Sequence, residues 1–254
     1  MKLHFLGTCS GTEPMPGMHH CSWVLEINGT NYWFDAGEGC GYSAFLKGID
    51  VLKTRALFIS HPHIDHTGGM PHLFFVMHKI RKPLIHNNTL DVYISDLDCL
   101  KAAQMLSWET RKPFFNIEGH QVQDGVIFTD GNIRVTAVHN THMSEDGSNG
   151  WHAFSYLIEA EGKRLVYAGD IGQLNEVDAF MEEPCDLLIM ETGHHKVKEV
   201  CEYALSKDVA RLRFNHHGRE IINGREAAQK LVSQYAKESG KSIIICHDGM
   251  TEEL

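Results

Sequence analysis

Short apolar runs bounded by glycine or asparagine dominate the first sixty residues and predict four strands, over 3–8, 22–27, 31–35 and 56–60. Asn28-Gly29, between the second and third runs, is a hairpin signal. Beyond Gly69 the period changes. Leu73, Phe74, Met77 and Ile80 recur at helical spacing and predict a helix over 70–80, followed by a strand over 91–95 and a helix over 97–108. The second half repeats this grammar. Strands are predicted over 126–129, 133–138, 154–159 and 164–168, with Asp130-Gly131 and Glu161-Gly162 as turns. Short buried strands over 187–190 and 212–214 flank a helix near 196–206. Asn223, with Glu226 three residues later, reads as a capping box. It opens a helix with Ala227, Ala228, Leu231, Val232 and Tyr235 on one face, and 242–246 closes the chain as a buried strand.

Strands followed by helices, twice over, predict an α/β fold in which two sheets face each other with helices outside each, a four-layer αββα sandwich. No break in composition divides the chain, so a single domain over 1–254 is expected.

Composition narrows the function classes. The chain carries 23 Lys+Arg against 33 Asp+Glu, a formal charge of −10, which disfavours extended nucleic-acid binding because that affinity comes from phosphate neutralisation. The short basic stretch Lys79-Ile80-Arg81-Lys82 reads as the solvated end of a helix. The segment Met1-Lys2-Leu3-His4-Phe5-Leu6-Gly7 lacks a signal-peptide core, and no apolar run approaches a membrane span. Seven scattered cysteines without C-x-x-C spacing suggest reduced thiols and a cytoplasmic protein.

The densest chemistry is His61-Pro62-His63-Ile64-Asp65-His66, four metal-ligand side chains in six residues after an apolar strand and before Thr67-Gly68-Gly69. Alternation near a strand end points His61 and His63 the same way. Asp65 and His66 follow as the chain turns. One segment thus offers two imidazoles to one metal and a carboxylate plus an imidazole to a second, as a two-metal hydrolytic site requires. With 18 histidines in the chain, chance clustering must be weighed, but H-x-H-x-D-H at a strand-to-loop junction is difficult to dismiss.

Further ligands also follow apolar strands: His142 (with His139 as competitor), Asp170 after Gly169, and His216 (with His217 beside it). A carboxylate at Asp170 is suited to bridge two cations. Asp35 could accept the second ring N–H of a ligand histidine. His19, His20 and Cys21 have no matching partner set and read as loop and strand residues.

The chain resembles the metallo-β-lactamase-fold hydrolases, and within them the branch of ribonuclease Z and cyclic phosphodiesterases. The matching residues are Phe5-Leu6-Gly7-Thr8, Phe34-Asp35-Ala36-Gly37-Glu38-Gly39, the 61–66 motif, His142, Gly169-Asp170, Asn215-His216 and Asp248-Gly249-Met250. The resemblance implies one metal on His61, His63 and His142, a second on Asp65, His66 and His216, and Asp170 bridging both. Zinc is the implied metal, with manganese or iron as alternatives. It further implies that Asp65 orients or deprotonates the nucleophile, and that Glu191 with His195 (or His194) assists the leaving group or the phosphate. Met190 departs from the branch, which usually has His there.

Ribonuclease Z carries a long tRNA-gripping insertion between the residues matching His142 and Asp170, and that span is short here. The expected substrate is therefore a small phosphodiester: a cyclic nucleotide, a cyclic ribose phosphate or a short oligonucleotide. A lactone, ester or thioester hydrolase is the competing enzyme class, and a metal-binding sensor or scaffold the non-enzymatic one. No membrane partner is expected, and a homodimer is compatible with the sequence.

Overall fold

The apolar runs of the first half assemble into one mixed sheet; the computed structural model describes residues 1–107, 114–144 and 146–254. The chain divides into two units, Met1–Val122 with His247–Leu254, and Gln123–Cys246. In the first, β1 (Lys2–Gly7), β2 (Ser22–Ile27), β3 (Thr30–Phe34), β4 (Thr54–Phe58), β5 (Thr89–Ile94) and β6 (Asn116–Gln121) lie side by side in chain order. β1, β2 and β3 pair antiparallel, and β3 to β6 pair parallel. Asn28 and Gly29 both have positive φ (50° and 73°), the backbone a tight two-residue hairpin needs. Register is reinforced by a row of stacked rings across five strands. Trp23, Phe34, Phe58, Tyr93 and His120 are direct cross-strand partners, with successive centroids 4.3–5.1 Å apart.

Among the described residues this unit holds four α-helices, α1 (Cys40–Leu46), α2 (Ile64–Thr67), α3 (Met70–Ile80) and α4 (Leu97–Ser107), and a 3-10 helix, Val51–Lys53. Leu73, Phe74 and Met77 of α3 and Leu100 of α4 share a buried core with Leu6, Val24, Trp33, Leu57 and Val92 of the sheet. Leu73, Phe74 and Met77 of the stripe read from the sequence are therefore the buried face of α3, whereas Ile80, expected on the same face, is exposed. Lys79 to Lys82 are the exposed end of the helix. The predicted helix over 97–108 is α4 as far as Ser107; Trp108 lies outside the described residues.

The second unit holds β7 (Gly125–Thr129), β8 (Ile133–Asn140), β9 (Ala153–Ala160), β10 (Lys163–Tyr167), β11 (Leu187–Glu191), β12 (Arg211–Asn215) and β13 (Ser242–Ile245), again in chain order. β7 to β10 form an antiparallel meander and β10 to β13 are parallel. A 3-10 helix (Leu174–Phe180), α5 (Val197–Leu205) and α6 (Arg219–Ser239) join these strands. Val166, Leu188, Met190, Leu212 and Phe214 of the sheet pack with Val177, Val200, Cys201, Ile221 and Val232. Each unit thus supplies one β layer and one α layer.

Several expectations need correction. β13 does not close the chain: β14 (Thr251–Glu253) follows and pairs antiparallel with β1. β14 and β6 are edge strands with mostly exposed polar side chains, so neither shows the apolar pattern of a half-buried strand. The helix expected to open at Asn223 begins at Arg219, and its backbone leaves helical geometry at Gly224, one residue past the expected cap. β4 ends at Phe58, so His61 and His63 do not alternate along a strand. No helix among the described residues is long and apolar enough to cross a membrane. All seven cysteines are free.

Candidate functional site

In the first unit the 61–66 motif is built from a loop and one turn of helix. His63 is the N-cap of α2, with its carbonyl accepting from His66 N (3.0 Å) and Thr67 Oγ1 (2.9 Å). His61 Nε2 lies 2.9 Å from His63 Nδ1 in the segment before the turn, and on the turn His66 Nε2 lies 3.4 Å from Asp65 Oδ2. His61, Asp65 and His66 are buried and His63 is exposed. Asp65 and His66 lie on the helical turn and His61 and His63 in the non-helical segment before it, so strand alternation sets neither pair.

Asp35 fixes the motif from behind. It is fully buried, sits just after β3 with φ 56°, and its carboxylate receives Ser60 N (2.7 Å) and Ser60 Oγ (2.8 Å). Asp35 Oδ2 also lies 2.8 Å from His66 Nδ1, which assigns the ring proton to Nδ1 and the lone pair to Nε2, on the Asp65 side. A left-handed φ is costly for a residue with a Cβ, so its presence here marks a conformation imposed by these contacts. Close backbone packing holds the motif from two further sides. A Cβ on Gly37 would lie 2.6 Å from the Asp65 carbonyl oxygen, and one on Gly69 would lie 2.1 Å from the Gly37 carbonyl oxygen.

A loop from Thr8 to His19 lies against Asp65: a Cβ on Gly11 would sit 2.9 Å from Asp65 Oδ2. Asp248 holds both ends of that loop. It accepts from Thr8 N (2.9 Å), Thr8 Oγ1 (2.7 Å) and His19 N (2.6 Å). Burial pushes the Asp248 carboxyl above its usual range, partly countered by the Thr8 hydroxyl.

In the second unit the candidates come from strand ends. β10, β11 and β12 are parallel, and β8 runs with them because β9 is antiparallel to both β8 and β10. Their C-terminal ends deliver His142, Asp170, Glu191 and His216 to one side of the sheet, where open α/β sheets place their ligands. Asp170 Oδ1 is 3.1 Å from His216 Nδ1 and Oδ2 is 3.8 Å from His142 Nε2. His216 adopts φ 49°, and a Cβ on the neighbouring Gly193 would lie 2.8 Å from its ring.

Each competing residue has a different place. His139 binds Asp124 through its ring (2.7 Å) and stacks on Trp151 at 4.0 Å. His217 Nε2 lies 2.9 Å from the Cys246 carbonyl, and burial lowers its pKa to about 3. His195 Nε2 lies 3.1 Å from the Ile171 carbonyl and 3.7 Å from Glu191 Oε1. His194 Nδ1 is 3.0 Å from Glu191 Oε1 and 3.9 Å from Asp170 Oδ2, with its ring 4.7 Å from that of His142. Glu191 is almost fully buried and His194 is exposed, so the pair links the interior to the surface.

These spacings suit divalent metal ions. Two nitrogen or oxygen donors on one tetrahedral zinc, at bonds of 2.0–2.1 Å, lie about 3.3 Å apart. The pairs His61–His63, Asp65–His66 and Asp170–His216 fall within a few tenths of an ångström of that, at 2.9, 3.4 and 3.1 Å. His142, Asp170 and His194 also present ligand atoms within 4.8 Å of one another.

Sequence reading missed the roles of Ser60, Glu176 and Asp248. All three act by hydrogen-bonding backbone or a second side chain at a distance in sequence, which no local spacing encodes.

The family model for the beta-lactamase superfamily domain matches residues 30–220. The ribonuclease Z of Methanothermobacter thermautotrophicus is 31% identical over 313 aligned residues, covering 100% of this chain and 97% of that one. Since that alignment is longer than the 254 residues here, the relative carries residues with no counterpart in this chain. Among solved structures, the metallo-beta-lactamase fold protein YhfI from Bacillus subtilis matches with TM-score 0.76 at 18% identity, covering 100% of this chain and 99% of that one. A diphosphatase of the PhnP family matches with TM-score 0.70 at 17% identity, covering 100% and 97%. At these identities the two structures speak to the fold alone, and they agree with the α/β class expected from the sequence.

Proposed function

The chain belongs to the beta-lactamase superfamily of metallo-β-lactamase-fold, metal-dependent hydrolases, and from that premise we propose that it hydrolyses a small phosphodiester. The observation that carries this reading is the full-length similarity to a ribonuclease Z that nevertheless has extra residues. Here the span from His142 to Asp170 is short and its described residues hold the β9–β10 hairpin, and the chain is acidic. A phosphodiesterase chemistry without a long nucleic-acid grip fits a cyclic nucleotide, a cyclic ribose phosphate or a short oligonucleotide. The seven free cysteines favour a reducing, cytoplasmic setting.

His61, His63 and His142 are assigned to one divalent ion, and Asp65, His66 and His216 to a second, with Asp170 shared. Zinc suits this mixed imidazole–carboxylate set, with manganese or iron as the alternatives that metal analysis separates. Bound there, the ions supply an activated water and stabilise negative charge on phosphoryl oxygens. The chain's own residues do the rest. Asp65 orients the nucleophile and accepts its proton. Glu191 accepts from His194 Nδ1–H and favours the doubly protonated ring, whose Nε2–H donates its proton to the leaving oxygen and leaves the neutral imidazole. His194 takes this role in preference to His195, whose Nε2 faces the Ile171 carbonyl.

The test is a substrate panel on metal-loaded protein: bis(p-nitrophenyl) phosphate, a 2′,3′-cyclic nucleotide and a tRNA precursor, beside a lactone and a thioester. Turnover of the first two is expected. Good acyl turnover without phosphodiester turnover overturns the reading, and efficient tRNA processing overturns its substrate size.

A further inference from the structure

We propose that Glu176 is a positioning residue: its single carboxylate ties the loop carrying His142 to the loop carrying Asp170. This rests on the reading of those two residues as metal ligands.

The geometry is specific. Glu176 Oε1 accepts from Thr141 N at 3.0 Å and, in a short contact, from Thr141 Oγ1. Its Oε2 accepts from Gly172 N at 2.8 Å and Gln173 N at 3.1 Å. Thr141 directly precedes His142, and Gly172 is the second residue after Asp170. The two loops touch where the carboxylate joins them: a Cβ on Gly172 would lie 2.3 Å from Thr141 Oγ1. Glu176 itself stands on the 3-10 helix Leu174–Phe180, which is anchored by the buried Val177 and Phe180. A rigid element therefore sets the distance between two ligand-bearing backbones.

A helix-capping role alone does not account for this arrangement. Capping needs the contact to Gln173 N at the start of the helix. The two bonds to Thr141 and the one to Gly172 serve the ligand loops instead. Hydrogen bonds from neutral N–H and O–H groups to a carboxylate are about twice as strong as neutral pairs. Replacing Glu176 by Gln keeps the shape but turns one oxygen into an NH2 donor, which then meets an N–H on either loop. One side of the tether is lost and the ligands on the two loops shift relative to each other.

The experiment titrates apo protein with Zn2+ by calorimetry and with Co2+ by visible absorption, which reports ligand geometry without turnover. Loss of a group that orients a metal ligand costs 10–100-fold in metal affinity, and about that loss is expected in Glu176→Gln, in the binding step that His142→Ala removes. The Co2+ spectrum of Glu176→Gln should change as well. Asp130→Asn is the structural control. That carboxylate accepts Asn132 N (2.8 Å) and Ile133 N (3.0 Å) in the β7–β8 turn, and its loss should change neither readout.

A folded Glu176→Gln with wild-type affinities and spectrum overturns the tether. So does an equal loss in Asp130→Asn, which would make the effect one of general stability. If Glu176→Gln does not fold, Thr141→Val removes one of the four bonds, and the same step must weaken by a smaller factor. Should His142→Ala leave both metal-binding steps intact, the ligand reading itself fails and the tether with it, an outcome distinct from failure of Glu176→Gln alone.

Discussion

The two units assemble their candidate ligands in opposite ways. In the first, four ligand side chains come from six consecutive residues, placed by a loop and one helical turn. In the second, His142, Asp170 and His216 come from the ends of three different strands, and parallel pairing of β10 to β12 aligns two of them. The first unit writes its geometry locally and braces it with one buried carboxylate, Asp35. The second writes it in sheet topology, so its accuracy depends on contacts between segments far apart in sequence. Damage in the second unit should therefore strike candidate ligands singly, except at Asp170, proposed as the shared one.

Asp170→Ala is the largest expected loss. On the proposed assignment Asp170 is a donor to both ions, so metal content should fall below two per chain. Activity should drop by more than the 10–100-fold typical of an orienting partner, that is by more than about 100-fold. Metal analysis beside kcat/KM checks this, and two tightly held ions in the variant would break the assignment of Asp170 as the shared ligand. His194→Ala comes next, with kcat expected to fall about 100-fold, the lower range for a proton donor, while metal content stays intact. His195→Ala should cost clearly less, because that ring contacts a backbone carbonyl. A reversed order of the two histidines would move the proton donor to His195.

Asp35→Asn tests the local brace. Three contacts, from Ser60 N, Ser60 Oγ and His66 Nδ1, lose their charged acceptor inside a fully buried site. A buried donor left unsatisfied costs about 1–3 kcal/mol, so the melting temperature should fall. Metal affinity should weaken about 10–100-fold, in the step that includes His66. Loss of both steps equally would show that the first unit responds as a whole.

The same contrast explains what was legible in the sequence. The 61–66 motif is readable because its candidate ligands are contiguous, although a loop and a helical turn rather than strand alternation place them; β4 stops at Phe58. Strands with buried apolar runs were readable, whereas β6 and β14 were not, since Asn116–Gln121 and Thr251–Glu253 present mostly exposed polar side chains. The choice of His142 over His139 as the neighbour of Asp170 needed coordinates. Both follow the same apolar run, and only the Asp124 and Trp151 contacts of His139 separate them. Glu176 was invisible for a related reason: its meaning lies in Thr141, thirty-five residues earlier.

The smallest expected effect bears most directly on whether the first unit is truly local. Asp248 reaches the site from the far end of the chain and pins the Thr8–His19 loop, whose Gly11 lies against Asp65. It touches no candidate ligand, so Asp248→Asn should leave metal affinity within a few-fold of wild type. One carboxylate oxygen becomes an NH2 group facing Thr8 N or His19 N, and the loop should loosen at a cost of about 1–3 kcal/mol. Because the loop borders Asp65, KM should rise several-fold with kcat little changed. If metal affinity instead falls as far as in Glu176→Gln, the first unit also depends on a tether distant in sequence. The contrast between the two halves would then be one of motif spacing alone, with no difference in how their ligands are held.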